Sequence, residues 1–192
     1  MIKKMMLLAM AVGALVALAA PAAQAIELKE GGKALKTGVE VTATSTNLVT
    51  TTASGTLSCE LVTIHGTLAK NGPAVEIKPT TTTTKNCSIN AGEKGVHSAT
   101  ITSPAVGTIS VVNQGVGSAS AVTFLADIPD FALECHFSGT AGFTYVSGSS
   151  TLTVAAASSV LTGSGTNCPT SGTLEGSFSL ETSNGTAVTI SN

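Results

Sequence analysis

Short apolar alternations of period two, broken roughly every ten residues by glycine and serine, confine this chain to β-sheet. Leu57, Cys59 and Leu61 fall on one face of a strand, with Ser58 and Glu60 on the other. The same beat runs through Val39-Val41, Val75-Ile77, Ala99-Ile101, Ile109-Val111 and Val122-Phe124. It continues through Phe131-Leu133-Cys135-Phe137, Phe143-Tyr145, Leu152-Val154, Phe178-Leu180 and Val188-Ile190. No amphipathic helical period longer than about three turns interrupts it after residue 25. Thirty threonines, most of them within these runs, suit a pleated surface because their branched Cβ packs well there. The expected fold is an all-β, antiparallel sandwich of immunoglobulin-like or Greek-key type, with a barrel as the alternative.

Where the chain works is indicated by its first residues. Lys3 and Lys4 precede an uncharged apolar run from Met5 to Ala20, and Pro21 then leads to Ala23-Gln24-Ala25. That is the layout of a secretory signal peptide, with cleavage expected between Ala25 and Ile26. The run is short for a membrane span, and no cysteine stands at the cleavage point to carry a lipid. Residues 26–192 are then expected to form a single secreted domain, extracellular or at the cell surface and not inserted in the membrane.

Four cysteines in an oxidising compartment are expected to form two disulfides. Cys59, Cys87, Cys135 and Cys168 are spaced 28, 48 and 33 residues apart, without the close pairs that zinc sites use. Of the three connectivities, Cys59–Cys87 with Cys135–Cys168 closes the shortest loops and staples each half of the chain.

Local patterns add detail. The apolar phase slips after Leu61 to Ile64, Gly66 and Leu68, which predicts a bulge or bend. Asn71-Gly72 reads as a two-residue turn, and Asn184-Gly185 as the turn of a C-terminal hairpin joining Phe178-Leu180 to Val188-Ile190. Thr80 to Thr84 is the one low-complexity run, read as an exposed edge strand or a long loop before Cys87.

Composition excludes several function classes. There is no arginine, and past the signal segment 7 lysines face 11 acidic residues, a net charge near −4. Such a chain does not neutralise a phosphate backbone, so nucleic acid is not expected as a partner. No tryptophan is present to stack on a sugar, and the few Phe and Tyr fall on core alternations. His65, His97 and His136 are scattered, no Gly-x-Ser-x-Gly elbow or Ser-x-x-Lys occurs, and Gly115-Val116-Gly117 lacks the third glycine of a dinucleotide loop. No enzymatic activity and no cofactor are expected. Asp127-Ile128-Pro129-Asp130, with Glu134 nearby, is the one compact acidic group in the second half of the chain and the candidate calcium or ligand loop.

Val41-Thr42-Ala43-Thr44-Ser45-Thr46-Asn47-Leu48-Val49-Thr50 followed by Gly55-Thr56-Leu57-Ser58-Cys59, and Cys168-Pro169-Thr170-Ser171-Gly172-Thr173-Leu174 with the closing Thr186-Ala187-Val188-Thr189-Ile190-Ser191, form a recurring pattern. It resembles small exported four-cysteine proteins of Gram-positive-lineage soil bacteria. That group carries no assigned activity, so the resemblance implies export and strand architecture but no functional residue. A looser analogy is to four-cysteine matrix proteins of biofilms. The expected role is accordingly a non-enzymatic envelope or extracellular-matrix protein acting through sheet edges and surfaces. Its partner would be an envelope or matrix component or a second copy of itself. The alternative is a soluble extracellular module for a small ligand, glycan or calcium.

Overall fold

The computed structural model describes residues 25–113 and 115–192. The expected signal segment up to Gln24 lies outside the described residues. Ala25 is exposed, whereas Ile26 is already buried and bridges to Gly72.

The described chain is strand almost throughout. In order come β1 (Glu27–Glu30), β2 (Lys33–Ala34), β3 (Glu40–Ser45), β4 (Leu48–Thr52), β5 (Gly55–Lys70), β6 (Val75–Asn90) and β7 (Val96–Ala105). Then follow β8 (Ile109–Asn113), β9 (Val116–Ile128), β10 (Leu133–Tyr145), β11 (Thr151–Val154), β12 (Val160–Ser164), β13 (Ser171–Thr182) and β14 (Val188–Ser191). One-turn 3₁₀ segments lie at Gly92–Lys94, Pro129–Phe131 and Ala156–Ser158.

The main sheet closes on itself. Each wall strand pairs antiparallel with the next, from β3 through β5, β6, β7, β9, β10 and β12 to β13, and β13 returns to β3 through Leu180↔Ala43. This eight-stranded barrel is the closed form of the all-β fold, and the open sandwich is not formed. The reason is physical: period-two burial shows that one face of every strand is covered, and a sandwich and a barrel both satisfy it. Only the pairing of β13 with β3 and β4 distinguishes them. It joins residues from the two ends of the barrel sequence.

Three of the eight wall positions are each built from two consecutive strands. β3 and β4 both lie between β13 and β5, β7 and β8 both lie between β6 and β9, and β11 and β12 both lie between β10 and β13. The other five positions are long unbroken strands.

Inward residues are apolar: Phe137, Phe143 and Tyr145 on β10, and Leu174, Phe178 and Leu180 on β13. Outward residues on the same strands are Glu134, His136, Thr140 and Thr144, and Glu175, Ser179 and Glu181. A membrane barrel shows the opposite alternation, apolar outside. The outer faces of β10 and β13 are polar.

β14, β1 and β2 form a separate three-stranded sheet at one end of the barrel. It covers that end with Leu28, Val188 and Ile190, packed with Leu68 and Val75 in the same core cluster and all but inaccessible. Asn71 ties it on. Its Oδ1 accepts the Leu28 backbone N–H at 2.7 Å, and its Nδ2 donates to the carbonyls of Leu28 and Leu35 at 3.1 and 2.8 Å. Asn71-Gly72 is therefore not a two-residue hairpin turn: β5 and β6 resume pairing only at Lys70↔Glu76. The amide side chain and the Gly72 backbone are used on the N-terminal strand instead. At the other end of the sequence Gly185, at φ 76°, makes the expected turn, closed by Thr182 N–H to Thr186 carbonyl at 2.9 Å and the bridge Glu181↔Ala187. Past that single bridge β14 leaves β13 and pairs with β1, so the C-terminal hairpin is only a stub.

The phase slip in β5 is present. Leu57 is buried in one phase and Val62, Ile64 and Leu68 in the other. Its partner β6 switches with it, buried at Cys87 beyond a left-handed Asn86 (φ 49°), so Cys59↔Cys87 and Leu61↔Lys85 keep one register. The register shifts that mark bulges come later, between His65 and Gly66 and between Leu68 and Lys70.

Candidate binding site: the barrel interior and its openings

A broken strand leaves backbone groups of its neighbours without partners, and each such group costs free energy unless something replaces the lost bond. At the break between β3 and β4, Asn47 Oδ1 accepts the Ser177 backbone N–H of β13 at 2.9 Å. At the break between β11 and β12, Ser159 is fully buried. Its hydroxyl accepts the Gly142 N–H at 3.0 Å and donates to the Gly142 carbonyl at 3.1 Å. At the break between β7 and β8, Ser120 of β9 is held by Gly107 N–H and the Thr108 carbonyl, at 2.7 and 3.0 Å.

The opposite side of that third break is not closed by strand pairing. β6 pairs with β7 from Cys87 to Asn90 and with β8 from Val75 to Ile77. Between them, Lys78 to Asn86 pairs only with β5. Thr80 to Thr84 thus lies in the middle of a long strand yet is an edge on one side, facing Thr100 to Thr108 across a slot in the wall.

Behind the slot lies a cavity of about 110 Å³. Among the described residues its wall carries no ionisable side chain, and the only hydroxyls on it belong to Thr50, Thr82, Thr84 and Thr123. An eight-stranded barrel is just wide enough for its side chains to fill it or to admit one small ligand. Here Ala43, Ala119 and Ala141 occupy buried inward positions, and these short side chains leave the space. Thr82 and Thr84 on one side and Ile101, Pro104 and Val106 on the other bring the chamber to the slot. Gly117 has a packing role: it sits opposite Phe143, whose ring occupies the place a Cβ would take.

The barrel end away from the small sheet holds a second cavity of about 490 Å³, a mouth ringed by Ala91, Lys94, Phe131, Asn167 and Pro169. Thr50 and Leu57 line both spaces. Between them Phe124, lining the inner chamber, stacks on Phe137, lining the mouth, with centroids 5.1 Å apart.

The two disulfides lie toward this end and have the expected connectivity. Cys59–Cys87 links directly opposed residues of β5 and β6. Cys135–Cys168 ties the start of β10 to the loop before β13. Two disulfides point to an oxidising compartment.

Across the rim, His97 joins two turns. Its Nδ1 is 2.7 Å from Asp130 Oδ2 and its Nε2 is 2.7 Å from the Lys94 carbonyl. Both partners are acceptors, so only the doubly protonated imidazolium donates to both. The Asp130 hydrogen bond and then the Lys94 carbonyl raise the His97 pKa above its usual 6.5. The Phe131 ring meets His97 edge-on at 4.5 Å, and Lys94 Nζ lies 5.3 Å from the centre of the same ring.

Of the candidate acidic loop, Asp130 is thus engaged by His97. Asp127 and Glu134 are cross-strand neighbours on the outside of β9 and β10, between inward residues Ala126, Ile128 and Cys135. Among the described residues no group of three His, Cys, Asp or Glu is placed to hold a metal ion. His65 meets Thr42 at 3.0 Å on the outer face, and His136 is exposed on β10, so the three histidines do not converge. Sequence reasoning placed no ligand chamber: the inward alanines are visible in the alternation, but an alanine reads the same whether its neighbours fill the gap or not.

No protein-family model matches the chain, and no curated protein and no solved structure is significantly similar to it.

Proposed function

We propose that this chain is an extracellular binding module, without chemistry of its own, that holds one small apolar molecule inside the barrel. The inner chamber carries this reading. At about 24 cal/mol per Å³ of residual cavity, leaving it empty costs about 2–3 kcal/mol, and one longer side chain in place of Ala141 would fill much of it. A space kept at that cost, walled by apolar atoms and a few hydroxyls, suits a ring or short hydrocarbon with little polarity. The paired cysteines and the signal-like first residues support an exported setting.

Indole tests it, because the chain has no tryptophan and indole emission can be followed without background. Titrating the protein into indole should shift the emission to the blue and raise the melting temperature. Ala141→Leu should remove both effects while leaving the β-sheet circular dichroism intact. Unchanged emission and melting temperature at millimolar indole would end this reading. If calcium instead raised the melting temperature, and Asp127→Asn with Glu134→Gln removed that rise, the acidic pair on the outer wall would be the site.

An envelope or matrix contact role is second, and one observation favours it: Lys78 to Asn86 keeps backbone groups unpaired on one side, the feature that recruits a further strand. A second copy would be the occupant. Sedimentation should then show a dimer that Thr81→Lys with Thr83→Lys disperses, and a monomer at all concentrations would remove this role.

A further inference from the structure

We infer that the inner chamber is loaded through the side of the barrel, by way of the slot between β6 and the β7–β8 wall, and not through the mouth. The inference rests on the chamber being a binding site, as proposed above, and adds its route and the shape of what can use it. Three observations carry it. First, the nine residues Lys78 to Asn86 are paired with β5 alone. By contrast, at the β3–β4 break only Glu60 and Leu61 of β5 go unpaired and Asn47 closes the β13 side, and at β11–β12 Ser159 closes the gap. The wall is therefore widely interrupted at one of its three breaks. Second, the chamber reaches that interruption: Thr82, Thr84, Ile101, Pro104 and Val106 line it from the two banks. Third, the stacked rings of Phe124 and Phe137 stand between the chamber and the mouth, and among the described residues only Thr50 and Leu57 border both spaces. Its rim is drawn together by Cys135–Cys168 and by His97 between Asp130 and Lys94.

The slot selects by charge as well as width. Its inner surface presents threonine hydroxyls and unpaired backbone groups but no ionised side chain. An ion passing it would lose its water without a counter-charge, so the ligand is uncharged. A flat ring or a narrow chain passes between two strand banks more readily than a branched molecule. Opening needs the Thr100 to Thr108 segment to bend outward about its pairing with β9, from Thr100↔Asp127 to Ala105↔Thr123, and breaks no ladder bond on the β6 side.

The test is kinetic. Indole association and dissociation are followed by stopped-flow fluorescence in the full folded protein and in three variants. Thr83→Phe and Thr102→Phe, exposed residues outside the chamber wall, cover the slot from opposite banks, and Ala91→Phe obstructs the mouth. Both slot variants should slow association and dissociation together by about tenfold, with the dissociation constant changed less than about threefold, because a gate alters the barrier to passage and not the bound state. Ala91→Phe should leave both rates as they are. Slot variants with unaltered rates, or a slow mouth variant, overturn the side route while leaving the chamber as a site. Indole that does not bind the unsubstituted protein overturns the chamber and its route together. Two slot variants on separate strands guard against one that fails to fold, and circular dichroism checks each.

Discussion

At the scale of single residues, the polar side chains that matter are those standing in for missing strand pairing. Ser159 is the clearest. Its hydroxyl serves both backbone groups of Gly142 from a fully buried position. Ser159→Ala should destabilise the fold by about 1–3 kcal/mol, the usual cost of leaving buried backbone groups unsatisfied. Urea unfolding should show this as a lower midpoint with an unchanged slope, and an unshifted midpoint would refute the assignment. His97 is the residue-scale pH element. Its folded pKa is raised, so its contribution is fully present below about pH 6.5 and is lost as pH climbs through the raised value. A proton NMR titration should place His97 above 6.5, and Asp130→Asn should bring it down. Equal values in the two proteins would mean that the Asp130 hydrogen bond is not the main cause. Neither residue stands out in the sequence: Ser159 is one serine among 21, and His97 is separated from Asp130 by two strands and a turn.

Among elements, β6 differs from its neighbours. β5 is paired along both sides for most of its length, but the middle of β6 is paired on one side only. In an antiparallel strand, alternate residues direct their amides to opposite sides. Hydrogen exchange resolved by residue should therefore show an alternating pattern from Thr81 to Lys85, every second amide unprotected, against continuous protection from Val62 to His65 on β5. Uniform protection across Thr80 to Thr84 would mean that the slot is closed in solution. Of the two readings the threonine run allows, edge strand or long loop, a strand open on one side is what forms, since a run of threonines with no large apolar residue offers nothing for a covered strand to pack. Its place inside a sixteen-residue strand was not legible. An edge is expected at the margin of a sheet, and here it is produced by a gap in the neighbouring strand. The same limit applies to β14: its turn chemistry at Asn184-Gly185 is local and was readable, but its partner β1 lies at the far end of the chain.

For the whole molecule, two disulfides and a sheet that closes on itself, with one break in its wall left open, describe a barrel around an apolar space. The disulfides act at this scale. Replacing Cys135 and Cys168 together with alanine opens a 33-residue loop and should cost about 3–4 kcal/mol in the chain-entropy account. A thermal melt should show the loss, and the mouth loop from Gly165 to Thr170 should become a site of proteolytic nicking while the barrel remains folded below the new midpoint. An unchanged melting temperature would mean that the loop is held by packing alone.

The sequence by itself determined the local half of this protein. Period-two alternation specified strands and their covered faces, the phase slip after Leu61 located the turnover in β5, and the even, widely spaced cysteines indicated a disulfide framework that the observed pairs fulfil. These features rest on interactions between residues near in the chain, or on closure entropy that rises slowly with loop length. Only the tertiary structure decided that the sheet closes, that the terminal strands cross to seal one end, that three wall positions are broken, and that one break stays open onto an apolar chamber. Those depend on which distant strands meet and on how much volume their side chains fill. A period of two says that a face is covered, and leaves open what covers it.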